Sequence, residues 1–145
     1  MRIILDTNIL VYTHNRSSPK QEKASSILRK ILKKELEAVI TPQILYEFYS
    51  VITNSKQVEH PLPPREAIDI CIDLLEAQEI EKIMPSLITT KTAFKLAKEL
   101  GLKGSQIFDC VLAVTANENG VETIYTENTK DFERYDFLIV ENPLK

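Results

Sequence analysis

The first ten residues, MRIILDTNIL (residues 1–10), decide the fold class. The apolar run at residues 3–5 predicts a short buried strand, and it stops abruptly at Asp6. In open parallel sheets, ligands bind at the carboxyl ends of the strands, which is where Asp6 would lie. A single aspartate establishes no function. The question is therefore whether other polar side chains of the chain reach the same place.

The rest of the chain alternates between helical and strand-like patterns. Beyond residues 2–5, we predict strands at 38–40, 79–85, 123–125 and 137–140, and helices at 19–34, 42–54, 64–77, 87–100 and from 105 onward. Strands separated by helices need crossover connections, which predict a parallel sheet with helices on both faces. The sequence contains no internal repeat, low-complexity tract or boundary, so residues 1–145 are predicted to form a single domain.

Composition narrows the class of protein. With 43% hydrophobic and 27% charged residues, the chain is globular rather than disordered. No apolar stretch approaches the roughly 18 residues of a membrane span, and Asp6 interrupts the N-terminal run too early for a secretory signal. We therefore expect a cytoplasmic protein without a membrane partner, in which Cys71 and Cys110 are reduced and buried. The net charge of −3 argues against a protein that coats nucleic acid.

Further acids lie in apolar surroundings. Glu47 follows the second strand and falls on the same helical stripe as Ile44 and Val51. Asp109 is the only charge in the apolar helix from 107 to 116, which we expect to be buried. Beyond the fourth strand, three polar side chains follow in close succession: Thr126, Asn128 and Asp131.

Each acid also has an ordinary structural explanation. Asp6 could cap a helix, Asp109 could stabilise a helix N-terminus, and Glu47 and Asp131 could face solvent. Together, however, these positions meet at one edge of a parallel sheet. Carboxylates so placed repel one another unless a cation intervenes, and Mg²⁺ or Mn²⁺ is the natural choice for oxygen ligands. Such a site suits hydrolysis of phosphodiester bonds.

The ordered segments LDTNILVY, PQILYEFYSV, IFDCVLAVTA and IYTENTKDF resemble the successive motifs of the PIN domain, in particular those of VapC-type toxins of toxin–antitoxin pairs. The resemblance implies a three-layer α/β/α fold with a mainly parallel sheet of 4–5 strands, and a Mg²⁺- or Mn²⁺-dependent endoribonuclease. It also implies a homodimer and a small antitoxin partner. The residues that match the family's catalytic, metal-binding acids are Asp6, Glu47, Asp109 and the more variable Asp131, and the supporting polar residues are Asn8, Thr126 and Asn128. Whether Asn128 or Asp131 lies nearer the metal stays open.

Two other classes of function compete with this interpretation. A phosphohydrolase of the haloacid dehalogenase type would require a second acid where this chain has Asn8. A non-catalytic PIN-like domain that binds RNA or a protein partner would often have lost one of the acids. The proline-bearing loop at residues 54–64 is either a plain connector or a lid or partner-binding loop, and the sequence does not identify the RNA.

Overall fold

The structure is a computed structural model that describes all residues, Met1–Lys145. Five strands form one parallel sheet: β1 (Arg2–Leu5), β2 (Glu37–Ile40), β3 (Ile80–Lys82), β4 (Thr123–Tyr125) and β5 (Ile139–Glu141). The helices are α1 (Thr7–His14), α2 (Gln21–Leu32), α3 (Pro42–Ile52), α4 (Pro64–Glu76), α5 (Leu87–Leu100) and α6 (Gln106–Glu118). The predicted α/β class with a parallel sheet is confirmed.

The sheet has the order β3-β2-β1-β4-β5, so the N-terminal strand lies at its centre. In β1, Ile4 pairs with Val39 of β2 on one side and with Ile124 of β4 on the other. All three side chains are almost completely buried. A strand covered on both faces needs continuous apolar residues rather than alternating ones, which explains the sequence of β1 and β2.

The connections determine which helices share a layer. From β1 to β3 the chain moves across the sheet in one direction, and from β3 to β4 it returns in the other. Because crossovers between parallel strands are right-handed, α1–α4 cover one face and α5 and α6 the opposite face. The helix contacts agree, since α1 packs on α2 and α3, α3 packs on α4, and α5 packs on α6. The result is the three-layer α/β/α sandwich.

Local signals set several helix ends as predicted. The Thr41 side chain caps α3 by accepting a hydrogen bond from the Ile44 N–H, and Pro42 occupies the first helical position. Gly101 ends α5 with a φ of 64°, a left-handed conformation that glycine adopts without strain.

Three local expectations need correction. Helix α1 was not predicted, because its apolar residues follow β1 without a helical spacing. Strand β5 begins at Ile139 rather than residue 137, since a turn closed by the Leu138 N–H and the Tyr135 carbonyl (3.0 Å) precedes it. The first turn of α6 is not buried, and the Phe108 side chain is 51% exposed.

Two further observations concern the chain as a whole. Both cysteines are free; Cys110 is buried as expected, whereas Cys71 is only half-buried. None of the helices combines the length and the apolar character that crossing a lipid bilayer requires.

Candidate active site

Asp6 occupies the carboxyl end of the central strand and also caps the next helix. Its Oδ1 accepts a hydrogen bond from the Thr7 N–H (2.8 Å) at the start of α1. The cap explanation weighed from the sequence is therefore correct, but it accounts for only one oxygen. The side chain is 8% exposed, and its Oδ2 is turned toward β4.

Two polar side chains hold Oδ2 of Asp6. The Thr126 hydroxyl, fully buried just after β4, donates to it at 2.7 Å, and the Asn8 amide donates at 3.2 Å. Burial raises the pKa of Asp6, and the negative charge of Glu47 raises it further, while the hydrogen bonds from Thr126, Thr7 and Asn8 oppose the increase. The structure thus brings together the three sequence-predicted residues Asp6, Asn8 and Thr126.

Asn8 and Thr126 also fix the loop that follows β4. The side-chain Oδ1 of Asn8 accepts from the Glu127 N–H (3.1 Å), and the Thr126 hydroxyl accepts from the Asn128 N–H (3.0 Å). The loop backbone is therefore attached to the same two side chains that orient Asp6. A displacement of this loop would move the Asp6 carboxylate with it.

Glu47 reaches the site from α3, one turn beyond the buried start of that helix. Its Oε2 accepts a hydrogen bond from the Thr7 hydroxyl (3.0 Å), and its Oε1 accepts from the Gln43 amide (2.9 Å). Thr7 therefore connects the two acids, because its N–H donates to Asp6 and its hydroxyl donates to Glu47. Glu47 is half-buried, which lies between the inward position predicted from the apolar stripe and the solvent-facing alternative.

Asp109 projects from the first turn of α6, on the opposite helical layer. Burial raises its pKa to about 7, and repulsion from Asp6, Asp131 and Glu47 contributes in that order, against a smaller opposing effect of Arg134. A carboxyl group with a pKa of about 7 exchanges its proton near neutral pH. Because all three other acids contribute, the four acids form one electrostatic cluster.

The remaining predicted residues lie at the outer margin of this cluster. Asp131 is exposed at the end of a short 3₁₀ helix, Thr129–Asp131, and acts on Asp109 through its charge. Asn128 is also exposed, but its side chain lines the same groove as Asp6, Glu47 and Asp109.

Two connected spaces surround the acids. A narrow cavity of about 30 Å³ lies between α3 and α6, and Asp6, Glu47 and Asp109 all line it. The same three acids line an open groove of about 490 Å³ that continues along α1 and α3. A substrate in the groove would therefore reach all three carboxylates from solvent.

Sequence reasoning missed several polar residues near the site. Thr7 was not singled out, although its position next to Asp6 was a usable signal. Glu127 accepts hydrogen bonds from the Tyr12 hydroxyl (2.7 Å) and from Lys20, and these partners lie over 100 residues away in the chain. Arg134, close enough to act on Asp109, was also missed. No local pattern reveals contacts of this kind.

The donor set suits a hard divalent cation. All the candidate ligands are carboxylate, hydroxyl or amide oxygens. Burial and, after it, repulsion from the other acids raise the pKa of Asp109, and a cation would relieve that repulsion. No group of three acids stands close enough to hold one ion by direct contacts alone. Mg²⁺ is commonly bound through one or two carboxylates and several waters, so the arrangement fits a hydrated ion rather than a closed cage.

Comparison with known proteins agrees with the fold. The sequence profile of the PIN domain matches residues 3–138, almost the full length of the chain. The chain belongs to the PIN-domain family. This PIN domain is 26% identical over 140 residues to ribonuclease VapC24 of Mycobacterium tuberculosis, an alignment that covers 97% of this chain and 95% of that protein.

Solved structures show the same fold. VapBC2 from Rickettsia felis, bound to a DNA fragment from its promoter, matches this PIN domain with a TM-score of 0.65 and 26% identity over 98% of each chain. VapC20 of M. tuberculosis, described as a toxin that cleaves the sarcin-ricin loop, matches with a TM-score of 0.68 over 92% of this chain and 95% of that one. At 11% identity, this second match concerns the fold alone.

Proposed function

We propose that this PIN domain is a divalent-metal-dependent endoribonuclease that hydrolyses RNA phosphodiester bonds and acts as the toxin of a type II toxin–antitoxin pair. The observation that carries the proposal is the convergence of Asp6, Glu47 and Asp109 on one cavity at the carboxyl edge of the sheet. Asp6 also caps α1, but capping that helix does not require Glu47 of α3 and Asp109 of α6 to lie beside it. Relatives named as VapC ribonucleases support the assignment of RNA as the substrate.

Each acid has a proposed role in this chain. Asp6, held in one orientation by Thr126 and Asn8, is the central ligand of the metal. Glu47 and Asp109 complete the acidic site from α3 and α6, and Asp131 supplies a fourth, outer carboxylate. Asn8, Thr126 and Asn128 support the acids and the loop that bears Asp131.

Mg²⁺ or Mn²⁺, when bound, would activate a water molecule and stabilise the charge that develops on the phosphate. The protein's own contribution is to hold the carboxylates rigidly and to place them at the end of an open groove. Burial and the neighbouring acids raise the pKa of Asp109 to about 7 without a cation. A bound cation would lower this pKa and keep Asp109 ionised, as a ligand requires.

The context of the enzyme is part of the proposal. Several solved structures of similar fold are toxin–antitoxin complexes, including VapBC2 from R. felis and one from Klebsiella pneumoniae, which supports a small antitoxin protein as partner. We also propose that residues 1–145 form one domain that acts on RNA in the cytoplasm and assembles as a homodimer. Large apolar side chains exposed on α5 and α6, including Ile88 and Phe94, support an interface between two copies.

The decisive experiment is cleavage of a mixture of structured and unstructured RNAs by the purified protein. We expect cleavage with Mg²⁺ or Mn²⁺, none with EDTA, and recovery when the cation is restored. Asp6→Asn should abolish cleavage, whereas Asp73→Asn, an exposed acid of the same kind on α4, should not. Cleavage that survives chelation, or that persists in Asp6→Asn, would show that the acids do not carry the activity.

Expression in a bacterial host tests the toxin role separately. The wild-type chain should slow growth, Asp6→Asn should relieve the effect, and co-expression of an antitoxin encoded beside the gene should also relieve it. Equal growth of wild-type and Asp6→Asn cultures at equal protein levels would remove the toxin assignment and leave the nuclease assignment to the cleavage assay.

A further inference from the structure

The groove that leads away from the acids has its own chemistry. One side is formed by the end of α1, with Tyr12 and Asn15, and the other by α3 and the loop after it, with Ser50 and Gln57. It begins at the acids and has a volume of about 490 Å³, within the range of small-molecule sites and large enough for a nucleotide. Whatever occupies it lies directly beside the bond that the acids would cut.

Part of the groove lining is apolar. Val11 and Val58 are each 9% exposed, and Val51 of α3 is half-buried. Together with the Tyr12 ring, which also lines the groove, these side chains give the face of a planar base apolar atoms to pack against.

Two amide side chains on the walls are free to bind a ligand. The side-chain hydrogen bonds of this region involve Asn8, Tyr12 and Asn54, and they leave the amides of Asn15 and Gln57 without a protein partner. Each amide offers both donors and an acceptor, the combination with which Asn and Gln recognise the edge of a base. The groove lining contains no lysine or arginine, so it is built for a base rather than for the phosphate backbone.

The proline-bearing loop places Gln57 in a defined position. The Gln57 and Val58 N–H groups both donate to the Asn54 carbonyl (2.9 and 3.1 Å), and the Lys56 N–H donates to the Asn54 side chain (2.9 Å). Val58 anchors the turn in the protein interior. Because the turn holds the Gln57 backbone in one place, ligand binding has to order only the side chain.

We propose that this groove is a nucleotide subsite, in which one unpaired base next to the cleaved phosphodiester packs on the valines and is read by Gln57 and Asn15. The inference rests on the proposed function and deepens it: these two amides determine part of the sequence preference of the enzyme. The base must be unpaired, because a base that is stacked and paired inside an A-form duplex cannot place its face on the valines. A separate groove between α3 and α4 is lined almost entirely by apolar side chains and lacks such reading groups.

The test compares cleavage of a random RNA pool by four proteins: wild type, Gln57→Ala, Asn15→Ala and the control Gln78→Ala. Gln78 is an exposed amide at the opposite edge of the sheet. Sequencing of the products should show a base preference at one position beside the cut for wild type and Gln78→Ala. In Gln57→Ala and Asn15→Ala we expect kcat/KM for the preferred RNA to fall about tenfold, equivalent to about 1.4 kcal/mol. The value for disfavoured RNAs should change little.

Binding provides a second readout that does not depend on cleavage. Fluorescence anisotropy of a labelled single-stranded hexanucleotide pool, measured in EDTA, should show weaker binding to Gln57→Ala and Asn15→Ala than to wild type and Gln78→Ala. A matched blunt-ended RNA duplex, in which every base is paired, should bind more weakly to all four. If the wild type cuts RNA but both groove variants keep its base preference, the subsite is refuted while the nuclease proposal stands. If no RNA is cut, the nuclease proposal fails, and equal binding by all four proteins would refute the subsite as well.

Discussion

Replacing Asp109 by asparagine should reveal how strongly the acids repel one another in the absence of a cation. The carboxyl group ionises near pH 3.8 in a flexible chain, but burial and the neighbouring acids raise its pKa to about 7 in the folded protein. Between these two pH values the folded protein binds a proton that the unfolded chain has lost. The free energy of unfolding contributed by Asp109 therefore falls as the pH rises through this range.

The size of the effect follows from the pKa and from the exposure of the side chain. At about 1.4 kcal/mol per pH unit, a shift from 3.8 to about 7 would amount to about 4 kcal/mol. Asp109 is only half-buried, and solvent screening reduces the cost to about 1–2 kcal/mol. Asparagine also loses the favourable interaction of a charge with the N-terminus of α6, worth about 0.3–1 kcal/mol. We therefore expect Asp109→Asn to be more stable than the wild type by about 1 kcal/mol at pH 8.

Urea unfolding in EDTA at pH 5 and pH 8, at constant ionic strength, measures this difference. At pH 5 the unfolded wild-type carboxyl group is ionised while the native one is still protonated, so only about a third of the pH range from 3.8 to about 7 has been crossed. Asp109→Asn should therefore gain clearly less stability at pH 5 than at pH 8. Asp73→Asn, on the exposed face of α4, should show no such pH dependence. A loss of stability in Asp109→Asn at both pH values would mean that Asp109 serves only its own helix, and the electrostatic cluster would be refuted.

Three further measurements test other parts of the site. Saturating Mg²⁺ should raise the melting temperature of the wild type, since a ligand at 100 times its dissociation constant adds about 2.7 kcal/mol to the free energy of unfolding. The melting temperature of Asp109→Asn should rise less, and equal increases would mean that the cation binds elsewhere. Thr126→Val should lower the free energy of unfolding in urea by about 1–3 kcal/mol, because the buried Asp6 carboxylate and the Asn128 N–H both lose a hydrogen-bond partner. The control Thr123→Val, equally buried on β4, should lower it less, and equal losses would contradict the role of the Thr126 hydroxyl. Light scattering of the wild type should give twice the chain mass of 16.6 kDa, and a wild-type monomer would overturn the homodimer. Ile88→Asp should reduce the measured mass to that of the monomer, whereas the control Leu32→Asp, on the exposed side of α2, should not.

The parts of the fold that the sequence predicted are those encoded by neighbouring residues. Strands β1 and β2 are short continuous apolar runs, and α3 starts at a Thr-Pro pair, so a few adjacent residues suffice. Helix α1 escaped prediction because its stability comes from packing on α2 and α3 and not from its own periodicity. The burial expected around Phe108 was wrong because the sequence of α6 shows that the helix is apolar but does not show how far its packing partners extend along it.

The candidate site divides in the same way. Acids that interrupt apolar segments stand out in the sequence, which is how Asp6, Glu47 and Asp109 were found. The hydrogen bonds that orient them join residues far apart, as between Thr7 and Glu47 or between Tyr12 and Glu127. Such pairs form only when the sheet order places their strands and helices side by side, and no local pattern contains that order.

The central position of β1 has a consequence for synthesis of the chain. Asp6 is translated almost first, but its hydroxyl partner Thr126 follows 120 residues later, which is roughly ten seconds on a bacterial ribosome. Until β4 emerges, one edge of β1 has no neighbour, and a chain terminated before residue 123 would expose that edge to other chains. Such a fragment would contain Asp6, Glu47 and Asp109 without the strand that aligns them. Translation must therefore be nearly complete before the acids can be assembled. Prematurely released fragments would be inactive and prone to aggregate.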